Sequence, residues 1–109
     1  MNKIESLKNK KDFTDLFARG RSRKSGFLLL KFLPNTDGDT KVAIIVGKKI
    51  SKLAVVRNRN KRKVRAGLQK MELKAGFNYA IIVLQNVGEM KQVELEKDLG
   101  VLFSVKSKM

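Results

Sequence analysis

Phe77-Asn78-Tyr79-Ala80-Ile81-Ile82-Val83-Leu84-Gln85 is the stretch that decides the fold. Apolar side chains fill both alternating sets of positions through its middle, so a strand here must be covered on both faces, as a central strand is. The residues before it, about 54–71, change period. Val56, Val64, Leu68 and Met71 keep to one face of a helix, with Asn60 as the polar exception, and Gly76 closes the connection. Further back, residues 27–33 and 42–46 are apolar and β-prone. The turn-rich Pro34-Asn35-Thr36-Asp37-Gly38-Asp39 between them reads as the link of an antiparallel pair, and Gly47 ends the second strand. At the start, Asn9 is a helix cap, Asp12 an acid in the first turn, and Gly20 a stop. Phe13, Leu16 and Phe17 follow helical spacing, giving a helix over residues 10–19. Beyond the central strand, Leu95, Leu99, Leu102 and Phe103 form the apolar stripe of a last helix over about 89–105. Gly100 weakens that helix by about 1 kcal/mol relative to alanine. The order α-β-β(-β)-α-β-α is that of an α+β protein, a two-layer α/β sandwich, and 109 residues fit one domain, 1–109.

Charge dominates the composition. Lys and Arg number 25 against 10 Asp and Glu, a formal net charge of +15, and such an excess serves a polyanion better than it serves a small core. Cys and His are both absent, which removes disulfides, thiol nucleophiles, the commonest general base and the commonest nitrogen ligand for a metal. The carboxylates are scattered, so the polypeptide is poorly equipped to do chemistry alone. The basic N-terminus is not followed by an apolar signal region, and the most apolar run near it, residues 27–33, is broken by Lys31. The expectation is a soluble, cytoplasmic protein.

The charge is concentrated on the second helix. Arg57-Asn58-Arg59-Asn60-Lys61-Arg62-Lys63-Val64-Arg65 holds six basic side chains in nine, inside an acid-free window from 41 to 71. With Arg57 at zero on a helical wheel, Lys61, Arg65, Asn58 and Arg62 fall between about 40° and 140°, while Leu68, Val64, Met71 and Gly67 fall between about 20° and −80°. One stripe can be buried while its neighbour presents a basic ridge; Arg59 and Lys63 point more nearly away. Like charges at i, i+4 (Arg57, Lys61, Arg65) weaken an isolated helix when no acid offsets them, which favours phosphate as their counter-ion over an idle solvated face. Among the aromatics, Phe77 and Phe103 read as core. Phe27, Phe32 and Tyr79 belong to the sheet, and spacing leaves Phe13 and Phe17 open between core packing and base stacking.

Gly47-Lys48-Lys49-Ile50-Ser51, followed after a short gap by Ala54-Val55-Val56 and the basic run to Arg65, resembles the signature of the bacterial ribonuclease P protein family. Every fixed position of the pattern R-N-R-x-K-R-x-x-R is matched. Leu7-Lys8 with Asp12, Phe13, Leu16, Phe17 and Gly20 resembles the family's first helix. The resemblance covers nearly the whole chain and implies a ribosomal-protein-S5-domain-2-like sandwich with a left-handed β-α-β crossover, where general rules favour a right-handed one. It implies an accessory subunit without an active site, partnered by a catalytic RNA that uses Mg²⁺ to cut the 5′ leader from precursor tRNA; neither DNA nor a membrane is an expected partner. By the same resemblance Arg57, Asn58, Arg59, Lys61, Arg62 and Arg65 face the catalytic RNA, and Phe13, Phe17, Lys48 and Lys49 line the leader cleft. Leu30, aligned across a one-residue gap, stands where the family often has a cleft-facing aromatic.

Three other readings are weaker. A ribosomal-type RNA-binding module without an enzyme partner would bind tRNA equally with or without a leader. A membrane-surface protein needs an apolar stripe that the core here already uses, and a stand-alone nuclease lacks its catalytic groups. If the ridge and its surroundings neutralise about five phosphates on single-stranded RNA, the logarithm of the affinity should fall with the logarithm of salt at a slope near −3.5. A fourfold rise in salt should then weaken binding about a hundredfold in a filter-binding titration.

Overall fold

A computed structural model describes residues 4–104. In chain order the elements are β1 (Ile4–Ser6), α1 (Lys10–Arg19), β2 (Arg21–Lys24), β3 (Leu28–Pro34), β4 (Thr40–Ile45), α2 (Ala54–Gln69), β5 (Phe77–Val83) and α3 (Gln92–Ser104). The strands form one sheet in the order β1-β4-β5-β3-β2, so the segment starting at Phe77 does supply the central strand, which ends at Val83, two residues short of the expected bound. Tyr79, Ala80, Ile81 and Val83 are buried, Tyr79, Ile81 and Val83 toward one face of the sheet and Ala80 toward the other. Tyr79 and Ile81 join the larger core under α2 and α3, with Val64, Leu68, Leu95 and Leu99. Ala80 joins a smaller cluster under α1, with Leu7 and Leu16. The α+β sandwich is thus the sheet against α2 and α3, and α1 adds cover on the opposite face.

The first helix has the predicted bounds. Asn9 Oδ1 accepts the Lys11 N–H at 2.8 Å, and the Gly20 N–H returns to the Leu16 carbonyl at 2.8 Å. Gly20 is required where α1 meets the sheet, because a Cβ there would lie 2.3 Å from the Leu16 carbonyl oxygen and 3.1 Å from that of Phe32. The last helix starts at Gln92, later than its pattern suggested, and Val105, assigned to it from sequence, lies outside the described residues.

Two expectations need correction. β3 and β4 do not pair with each other. β5 lies between them, antiparallel to β3 and parallel to β4. The turn is wide enough to cross one strand: Asn35 holds it by donating to the Asp39 carbonyl (3.0 Å) and to Asn78 Oδ1 (2.9 Å), while its own Oδ1 accepts the N–H groups of Asp37 and Gly38. Turn composition marks where the chain reverses and is silent on what fills the gap. Of the two outer strands, β2 answers to the optional third strand of the expected order, though no residues were placed in it, and β1 was not expected. β1 pairs parallel to β4, and β2 (Arg21-Ser22-Arg23-Lys24) pairs antiparallel to β3. A polar, charged edge strand carries little of the alternating pattern by which buried strands are read, and its charges discourage edge-to-edge association.

Two polar devices lock the helices in place. Asn60, with no solvent exposure, donates to the Val56 carbonyl (2.9 Å) and Asn86 Oδ1 (3.0 Å), and its Oδ1 accepts the Val87 N–H at 2.7 Å. On α3, Asp98 accepts from Ser25 Oγ (2.7 Å) and the Phe27 N–H (3.2 Å), tying the β2–β3 hairpin to the helix. Tyr79 donates its hydroxyl to the Lys74 carbonyl at 3.0 Å, and burial pushes its pKa up to about 12. Asn60→Leu keeps the side chain's size and leaves Asn86 Oδ1 with the Gly88 N–H at 2.8 Å, but it strands the buried Val87 N–H. It should cost about 1–3 kcal/mol, read as a lower thermal midpoint, whereas Asn58→Leu on the exposed side should leave that midpoint nearly unchanged.

Candidate nucleic-acid interface

α2 has a weak start by side-chain standards. Its N-cap is Leu53, which has no side chain to cap it, and Ser51 Oγ accepts the Leu53 N–H instead. Arg57 reinforces the same corner, its guanidinium donating to the Ser51 and Lys52 carbonyls at 3.0 and 2.9 Å. Arg57 is therefore half-buried and partly committed to the protein. Asn60, Val64, Gly67 and Leu68 form the buried stripe, as the wheel requires. Gly67 permits the close approach of α3, since a Cβ there would sit 2.6 Å from Leu99 Cδ1.

The neighbouring stripe is open. Asn58, Lys61, Arg62 and Arg65 are exposed, and among the described residues none has an acidic partner. Arg59 and Lys63, turned away from the ridge, meet the segment after β5. Arg59 pairs with Glu89 at 3.2 Å, an ion pair with both side chains more than half exposed, and Lys63 Nζ donates to the Met90 carbonyl. Of the six ridge residues singled out from sequence, four are free cations or amides, one is held by carbonyls and one carries a weak surface ion pair. Such a pair stabilises by about 0–1 kcal/mol, so Arg59 is restrained rather than neutralised.

A second surface lies on the opposite face of the sheet. Phe13 and Phe17 of α1 stack on one another, with ring centroids 6.4 Å apart and planes within 9°. Phe13 packs on the small core, while Phe17 is 41% exposed. The spacing left both open; the structure divides them. α1 covers the sheet over Ala80, Ala43, Leu33 and Ile45, and in the cross-strand row Ile45–Ile82–Leu29 the last two stay half-buried outside that cluster. The groove beside α1 is this part-open apolar strip. Lys48 and Lys49 follow Ile45 by a few residues, so both exposed lysines lie beyond the same end of the sheet.

Leu30 is not in this groove. It is 2% exposed, part of the core under α2 and α3, on the face away from α1. The β3 residue that meets Phe17 is Lys31, whose ammonium sits 5.7 Å from the ring centroid and donates to Ser22 Oγ at 3.0 Å. The gap placed in the alignment shifted the strand by one residue, and in a strand a one-residue shift exchanges faces. The signal was present in the sequence: Leu28, Leu30 and Phe32 form the wholly apolar alternate set, while Leu29, Lys31 and Leu33 include the charge.

The Arg59–Glu89 pair gives a direct test of how much cation the ridge holds in reserve. Glu89→Gln frees Arg59 without touching the core, so RNA affinity at low salt should rise by about two- to fivefold and the salt dependence should steepen. An unchanged affinity would mean that Arg59 does not reach the nucleic acid.

Similarity to known proteins agrees with this geometry. Residues 1–106 match the family model described as Ribonuclease P. A ribonuclease P protein component from Pseudanabaena sp. is 35% identical over 96 residues, covering 85% of this chain and 83% of the relative. One from Synechocystis sp. is 37% identical over 86 residues, covering 75% and 69%. Among solved structures, the ribonuclease P protein from Thermotoga maritima superposes with a TM-score of 0.81 at 23% identity, over 93% of this chain and 96% of that one, which establishes the shared fold. The chain carrying this basic ridge and groove belongs to the ribonuclease P protein family.

Proposed function

We propose that this protein serves as the non-catalytic subunit of ribonuclease P, holding the catalytic RNA with the α2 ridge and the 5′ leader of precursor tRNA in the groove beside α1. As a member of this family it is a subunit of a ribonuclease complex that processes tRNA. The observation that carries the finer reading is the row Asn58, Lys61, Arg62 and Arg65, exposed and without carboxylate partners among the described residues. Guanidinium groups fork onto phosphate oxygens, ammonium groups act as point charges, and the amide of Asn58 can both donate to and accept from a sugar or base. Arg57 joins them with the donors left over from its carbonyl bonds.

In this reading the protein contributes position and charge. Its cations reduce the repulsion between two polyanions. The leader, lying over Phe17 and the Leu29–Ile82 floor with Lys31, Lys48 and Lys49 near its phosphates, gives the precursor contacts that the mature product lacks. Substrate is thereby favoured over product. The reading assigns catalysis to the RNA. Mg²⁺ also belongs with the RNA: no carboxylate occurs between residues 41 and 71, and a cationic donor set repels a divalent metal ion. The working compartment in this reading is the cytoplasm. Among the described residues no helix is long and apolar enough to cross a membrane.

Reconstitution with catalytic RNA and precursor tRNA at low Mg²⁺ is the deciding experiment. Adding the protein should restore cleavage, and no change would count against the assignment. Phe17→Ala should reduce the preference for precursor over leaderless tRNA by about tenfold, the scale of one lost base-stacking contact. Arg62→Ala with Arg65→Ala should weaken binding of the catalytic RNA whether or not a leader is present.

A further inference from the structure

The edge strand β2 carries a basic surface that neither the ridge nor the groove uses. Arg21 stands opposite Phe32 and Arg23 opposite Leu30, so both arginines lie on the α3 side of the sheet. Together with Arg19 at the end of α1 they border a cavity of about 450 Å³ whose apolar lining includes Phe32, Pro34 and Phe77. Among the described residues no carboxylate pairs with Arg21 or Arg23, and Arg19 pairs only loosely, with Asp15 at 3.9 Å. Phe32 and Phe77 are half-buried, their centroids 6.2 Å apart, and Lys74 holds its ammonium 5.7 Å from the centre of the Phe77 ring. The aromatic series continues inward through Tyr79 to Phe103, so the shelf is anchored to the core.

Guanidinium groups spaced along an edge, beside aromatic rings that are part-open, suit an unpaired nucleotide chain: phosphates on the arginines, a base against the rings. A cavity of this size lies within the range of small-molecule sites and admits a base. Continuity names the source of that chain. Arg19 follows Phe17 by two residues and borders the cavity, while Lys31, beside Phe17, is bonded to Ser22 of the same edge strand. RNA leaving Phe17 away from the sheet's centre therefore meets Arg19 and β2 next. The α2 ridge lies above β4, three strand spacings or about 14 Å from β2 across the sheet, so RNA held there is on the other flank.

We propose that the distal part of the precursor's 5′ leader crosses the β2 edge and seats on Arg21, Arg23 and the Phe32–Phe77 shelf. This rests on the leader reading given above and extends it by a subsite on the other face of the sheet. Precursors with leaders of about 4 and about 12 nucleotides, within the span of known single-strand sites, separate the two surfaces. With the reconstituted holoenzyme the longer leader should bind more tightly. Two phosphate contacts add about 1.4 to the salt slope, so this advantage should shrink about sevenfold over a fourfold rise in salt.

The double substitution Arg21→Ser, Arg23→Ser should abolish the advantage and its salt dependence while leaving the short-leader precursor unchanged. Arg21→Lys with Arg23→Lys should retain most of both. Equal weakening of both precursors, or of neither, would overturn the subsite. Wild-type holoenzyme binding leaderless tRNA as tightly as precursor would overturn the leader reading as well. The variants are not needed to see that result, so the two failures are distinct.

Discussion

β5 is hydrogen-bonded along both edges and covered on both faces, and the rest of the molecule is arranged around it. Its seven residues pair antiparallel with β3 on one side, and five of them pair parallel with β4 on the other. Remove β5 and the two halves of the sheet have no ladder in common, because the turn at residues 35–39 joins strands that are not neighbours. The faces are equally dependent on it. Tyr79, Ile81 and Val83 give α2 and α3 a surface to pack on, while Ala80 opposes Leu16 of α1. The small side chain at Ala80 lets α1 sit close, and Gly20 does the same at the helix end. Both candidate interfaces are consequences of this arrangement, since one is the outer stripe of α2 and the other is the part of the α1 face that α1 leaves open.

The electrostatics follow from where acids are missing. A protein of +15 has few carboxylates to distribute, and among the described residues those that form ion pairs are Asp15, Asp37, Glu89 and Glu96. Among the described residues only the Glu89 pair touches the ridge, and it engages Arg59, which points off the main row. The partners of Arg57 are neutral carbonyls, and they orient its guanidinium without cancelling its charge. The ridge is therefore held in position by backbone contacts and by Asn60 beneath it, while its charge remains available. A helix made rigid by a buried amide can tolerate like charges at i, i+4 that would weaken it in isolation.

The sequence by itself determined a good deal. Helix α1 was legible to the residue, because Asn9, the spacing of Phe13, Leu16 and Phe17, and Gly20 are local signals acting over a single turn. The basic ridge and the buried stripe of α2 were legible for the same reason, as was the burial of 77–83, whose apolar residues on both faces leave no solvent-facing alternative. Family membership was also legible, through the motif from Gly47 to Arg65.

Only the tertiary structure decided the remainder, because it depends on what lies beside each segment. Strand order came from β5 inserting between β3 and β4, and the turn does not encode that. The edge strands β1 and β2 exist because a neighbour offers them a ladder, not because their residues prefer one. Which half of β3 meets α1 was settled by the register with β5, and that register moved the groove contact from Leu30 to Lys31. Phe13 and Phe17 share one helical spacing, yet the sheet beneath them half-buries the first and leaves the second open.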